Sequence, residues 1–163
     1  MANWDYYRSL EASLCDFLTS QLASYTDIAG NSLTIKVAEK DERNPDWSLP
    51  LVTLYFDNEN STTPFISSFK RDDLQVIIID IYALTKPDRL DIAKLIVDTI
   101  NDGWVYYDYA DNPSDPDNPT KVENRRINIQ NFLENTRVDL GQNVDAYDQH
   151  RHRISINVWK SGS

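Results

Sequence analysis

The stretch VIIIDIYALTKPDRLDIAKLIVDTIND, residues 76–102, constrains the fold more than any other part of the chain. Read as a strand, VIIIDIYAL places Ile77, Ile79, Ile81 and Ala83 on one face and Val76, Ile78, Asp80 and Tyr82 on the other. Both faces are largely apolar. A strand in a half-wet antiparallel sheet would alternate apolar with polar, so this strand needs cover on both sides. From Thr85 the apolar spacing lengthens from two residues to about 3.6. Thr85 with Asp88 forms a helix start signal, and Pro87 fits a first turn. Leu90, Ile92, Ala93, Leu95, Ile96 and Ile100 form the predicted buried stripe, and Gly103 the predicted stop.

The flanking segments complete an α+β pattern. From Asn3 to about Ile28, Trp4, Tyr7, Leu10, Leu14, Phe17, Leu18, Leu22 and Tyr25 fall on one helical stripe, and Gly30 is the expected end. LTIKVAE (33–39) and LVTLYFD (51–57) read as strands, separated by a charged loop ending in Pro50. NENSTTP (58–64) reads as a turn or loop, and the chain is mostly extended from Phe65 to Leu84, with a polar break at Lys70–Asp73. WVYYDYADNPSDPDNPT (104–120) holds four Asp and three Pro and reads as an extended acidic, Pro-rich loop, with Asp108, Asp111, Asp115 and Asp117 as candidate interaction residues. RRINIQNF (125–132) and HRISINVWK (152–160) read as closing strands. The expected architecture is a single α+β domain over residues 1–163. It has a mixed or antiparallel sheet of four to five strands, with a long N-terminal helix and a second helix packed on one face.

Charge and composition exclude several classes. The net charge of −10 over 163 residues argues against a module that grips phosphates. It is compatible with a protein that DNA only passes. No apolar run is long enough for a membrane span. The N-terminus lacks a basic region and an apolar core, so a signal peptide is not expected and the chain is expected to be made in a cytosol. The one cysteine, Cys15, rules out an internal disulfide and reads as a semi-buried structural thiol.

Chemistry-bearing motifs are missing. There is no G-x-S-x-G, phosphate loop, G-x-G-x-x-G or H-E-x-x-H. His150 and His152 share one side of the last strand, but a zinc site needs a third and fourth ligand. Arg151 and Arg153, interleaved with them, read as a solvated edge. The Asp-rich segment lacks the Gly and the bidentate Glu of a calcium loop. Asp80 has no second carboxylate or histidine near it in the pattern to share acid–base work, so a basic or backbone partner is the expected match. No catalytic, cofactor-binding or metal residues are expected, and the chain is not expected to be an enzyme.

Two helices can cover one face of such a sheet. The other face, with Val76, Ile78, Asp80 and Tyr82, is therefore expected to meet another copy of the chain, Asp80 being pinned to a basic residue of a neighbour or of a closing strand. At this point the order of elements resembles the tail-terminator (tail-completion, or neck) proteins of tailed bacteriophages. The likeness lies in a long first helix, strands around LPLVTLYF, the long strand VIIIDIYAL, the helix DRLDIAKLIVDTIN and two closing strands, over roughly residues 1–160. The resemblance implies a structural virion protein without catalytic residues. Its copies form a ring, usually a hexamer, that caps the tail tube and joins it to the head connector. DNA passes through the lumen, where an acidic wall keeps it from sticking. Competing readings are another neck or minor tail protein (a stopper or adaptor), a small enzyme using Asp80 or the histidine pair, and an acidic binding module unrelated to phage.

Overall fold

Helix α2 (Lys86–Ile100) starts where the capping signal places it. Thr85 Oγ1 accepts from the Asp88 backbone N–H at 3.2 Å and donates to Asp88 Oδ2 at 2.7 Å. Ile92, Ala93, Ile96 and Ile100 are buried as expected, but Leu90 is 46% exposed. Leu90 lies two residues from Ile92, which puts it on nearly the opposite side of the helix. Gly103 follows the helix with φ +74°, and its N–H donates to Ile100 O at 2.8 Å. A Cβ there would come within 2.1 Å of Ile127 O, so both the backbone conformation and the close approach require glycine.

The computed structural model describes residues 3–39, 48–56, 74–138 and 150–160. The segment 40–47 of the charged loop, the stretch 58–64 and the break at Lys70–Asp73 lie outside the described residues. The other elements are α1 (Tyr6–Leu22), β1 (Lys36–Glu39), β2 (Leu51–Phe56), β3 (Leu74–Ala83), β4 (Trp104–Ala110), β5 (Thr120–Arg137) and β6 (His150–Lys160). The strands form one curled, half-barrel sheet in the order β1-β2-β3-β6-β5-β4. The β1–β2 pair is parallel and every other pair antiparallel. The α+β class and mixed sheet are as expected. The strand count is six rather than four or five.

Helix α1 is shorter than its apolar stripe suggests. Asp5 caps it, accepting from the Arg8 backbone N–H at 2.8 Å, and it ends at Leu22 rather than near Ile28. Gly30 does not stop the helix. It sits with φ +83° in a separate turn that Asp27 organises, its carboxylate accepting from Ala29 N and Asn31 N. A short carboxylate that bonds its own backbone offers an alternative to continuing the helix. Leu10, Leu14, Leu18 and Leu22, at a strict four-residue spacing, are buried, whereas Tyr7 is 42% exposed.

The core lies between this helical layer and one face of the sheet. Val52, Leu54, Ile77, Ile79, Ile81, Ile127, Ile154, Ile156 and Val158 meet the α1 leucines and Ile92, Ile96 and Ile100 of α2. Ladder register fixes that face: Ile77 stands opposite Ile156, and Ile79 opposite Ile154.

Candidate functional site

The same register sets the second face. Across β3 and β6 it pairs Val76 with Asn157, Ile78 with Ser155, Asp80 with Arg153 and Tyr82 with Arg151. Across β2 and β3 it pairs Leu51 with Tyr82 and Thr53 with Asp80. Val76, Ile78, Asp80 and Tyr82 are 3%, 7%, 0% and 1% exposed in a single chain. This corrects the expectation that a second copy must cover them: one chain already removes all four from water.

Asp80 has its basic partners on β6, not on a neighbour. Arg151 Nη2 donates to Asp80 Oδ2 at 2.7 Å. Arg153 grips both oxygens, Nε to Oδ1 at 2.8 Å and Nη2 to Oδ2 at 3.0 Å. Arg151 and Arg153, expected at a solvated edge, are 15% and 27% exposed in their side chains. Their guanidiniums also lie over aromatic rings, Arg151 over Tyr82 at 5.1 Å and Arg153 over Tyr55 at 6.0 Å. The hydrogen bonds to Asp80 push the Arg153 pKa up. For Arg151 burial pulls downward, but the Asp80 contact outweighs it and the net shift is upward. A carboxylate with both oxygens taken by two guanidiniums is an ion-pair pin.

The histidine pair divides in burial: His150, opposite Ala83 at the start of β6, is half-buried. His152 is 7% exposed, and its Nε2 lies 2.6 Å from Asn135 Oδ1. Burial, then the nearby Arg89 charge, holds its pKa below the ordinary value. Among the described residues no group of three metal-ligating side chains occurs.

Residues 104–120 are not one loop. Trp104–Ala110 is β4, with Trp104, Tyr106 and Tyr109 buried. Aromatic residues favour a half-buried strand, and α1 supplies the cover. The Tyr107 N–H donates to Ser13 Oγ at 3.0 Å, and Tyr109 OH donates to Asp16 Oδ2 at 2.7 Å. Trp4 stacks on Tyr109 at 5.2 Å. Burial pushes the Tyr106 hydroxyl pKa up to about 12. Only residues 111–119 connect β4 to β5. The four acidic candidates therefore separate: Asp108 is on β4, bonded to Asn124 Nδ2 at 2.5 Å, whereas Asp111, Asp115 and Asp117 are exposed in the turn. Asp111 accepts from Trp4 Nε1 at 2.7 Å, and Asp115 from Asn118 Nδ2 at 2.8 Å.

Sequence reasoning missed the extent of β5. The strand runs from Thr120 to Arg137 and is buried only at Ile127. Residues 120–127 pair with β4, and residues 127–137 pair with β6. The polar composition hid it, because an exposed strand carries no apolar alternation. Cys15 is half-buried as expected, in the wall of a groove of about 510 Å³ between α1, β1 and the β4–β5 turn. Among the described residues no helix is long and apolar enough to cross a membrane. Compared with protein-family models and with curated proteins, the chain matches none.

Proposed function

We propose that the chain is a structural assembly protein, the tail terminator of a tailed bacteriophage. Copies of it form a ring, hexameric in the resemblance, that caps the tail tube and joins it to the head connector in the virion neck. DNA passes through the lumen and is not gripped.

The observation that carries this reading is β5. A strand of 18 residues with one buried position contributes little to the core. Two register shifts, at Ile129/Asn131 and Phe132/Glu134, interrupt its ladder with β6. From Asn128 onward no strand among the described residues pairs on its other side. An open edge of this length is a surface for contact with other chains, and bulges limit pairing with the wrong ones. A first helix, strands and a second helix before the closing strands follow the order of the resemblance, although three strands rather than two close the sheet, and a net charge of −10 suits a wall past which DNA must slide. The enzyme alternative loses its main residue, since Asp80 is pinned by two arginines.

Electron microscopy of the purified protein tests the proposal. The expected image is a closed ring with a central opening wide enough for duplex DNA. Single subunits at every concentration, and no joining to tail tubes, would overturn it.

A further inference from the structure

The two ends of β5 carry opposite charges that the described part of the chain leaves unneutralised. At one end Asp111, Asp115 and Asp117 are exposed in the turn before Thr120, and no Lys or Arg among the described residues forms an ion pair with them. At the other end Arg137 stands opposite His152 in the β5–β6 ladder, so the two side chains share the helix-covered side. Arg89 of α2 comes to the same place. It is 6% exposed, yet its Nε has no hydrogen-bond partner, and neither has His152 Nδ1. Burial and the Arg137 charge together hold the Arg89 pKa below its ordinary value.

Two carboxylates among the described residues are used elsewhere. Asp88 accepts from Tyr25 OH at 3.0 Å and from Thr85 Oγ1 at 2.7 Å. Glu134 accepts from Ser155 Oγ at 3.4 Å, on the second face of the sheet. A buried guanidinium with a donor unused, within reach of the Arg137 charge, makes a site that lacks an anion among the described residues.

We propose that the acidic turn 111–117 of one copy docks on the Arg89–Arg137 end of the next copy, head to tail. The inference rests on the ring reading and names the contact that builds the ring. Within one chain the two ends cannot meet. At about 3.3 Å per residue the 18 residues of β5 extend over roughly 56 Å, several times the Debye length of about 8 Å at physiological salt. Each subunit presents one acidic and one basic end, so a repeated contact uses both, and in a closed ring none is left over. Carboxylates match the guanidinium fork, and an overall acidic chain disfavours nucleic acid as the occupant.

The test reverses each charge in the full-length chain. Arg137→Glu and the double variant Asp115→Lys with Asp117→Lys change exposed residues, and circular dichroism checks that each folds. Sedimentation over a concentration series gives the dissociation constant. Each variant alone is expected to raise it about tenfold or more. An equimolar mixture of the two is expected to restore assembly, because the reversed charges then meet each other and the unaltered ends also pair. Variants that assemble like the wild type, or weakened assembly that the mixture does not rescue, would overturn the contact. If the wild-type chain forms a ring that charge reversal leaves intact, this contact alone fails. A wild-type chain that stays monomeric fails both the contact and the ring.

Discussion

Strands β3 and β5 flank the same partner, β6, and differ in almost everything else. From Gln75 to Ala83 every residue of β3 is buried, including the charged Asp80. Over eighteen residues β5 is buried at Ile127 alone. On β3 the helix side is closed by isoleucines, and the second side by an ion-pair pin under which apolar and aromatic groups pack. A strand satisfied on both faces by its own chain has no surface left for a partner. In the proposed assembly, cohesion of the subunit and contact between subunits would be divided between two strands that share a neighbour.

The sharpest break in that comparison comes from Asp80→Ala. It leaves Arg151 and Arg153 without the carboxylate they share, and loss of one member of a buried ion-pair group costs about 3–5 kcal/mol. Urea denaturation should show this as a large drop in midpoint. An unchanged midpoint would mean that the pin does not close the second face. Next in size are Ile79→Ala and Ile78→Ala, each expected to cost about 2–4 kcal/mol because both side chains are nearly or fully out of water. If a second copy covered that face, a change at Ile78 would be felt in assembly and one at Ile79 in folding. With both faces buried within one chain, both should be felt in folding, and a purely assembly-level effect at Ile78 would restore the earlier view.

A smaller effect is expected from pH. The folded pKa of His152 lies below the ordinary 6.5. Between those two values the unfolded chain binds a proton that the folded chain does not. Stability from this group is therefore complete above about 6.5 and is lost as pH falls through the window toward the folded pKa. Thermal denaturation of the wild type and of His152→Gln across pH 5–8 should show a steeper acid loss for the wild type. Parallel curves would contradict it. The smallest effect belongs to the turn: replacing residues 112–118 by a Gly/Ser linker should change stability within about 0.5 kcal/mol, measured by the same denaturation. A large loss would make the turn part of the fold. Extending the replacement back through Tyr109 should cost far more, because that ring is buried.

Local signals in the sequence are legible where one periodicity gives way sharply to another. The strand at 76–83 and the capped start of α2 at Thr85 are such places, as is the glycine at 103. Where composition and pattern disagreed, composition misled. The Asp and Pro of 111–119 concealed the aromatic strand Trp104–Ala110 just before them. At the end of α1, Tyr25 fits the helical stripe and is buried, yet the helix stops at Leu22 and Asp27 organises a separate turn after Tyr25. The partners of Asp80 lie more than seventy residues away in the chain. Only the β3–β6 register brings Arg151 and Arg153 beside it, and no local pattern contains that register. The Arg89–Arg137–His152 group was invisible for the same reason, since it joins α2, β5 and β6.

Hydrogen exchange on the full-length chain, compared between dilute subunits and the assembled form, tests the division of labour most directly. The amides of residues 76–83 should be strongly protected in both states and gain nothing on assembly. New protection should be confined to the turn 111–119, residues 128–137 of β5 and the start of α2 around Arg89. Protection gained across Val76–Tyr82 on assembly, with none at either end of β5, would contradict the account.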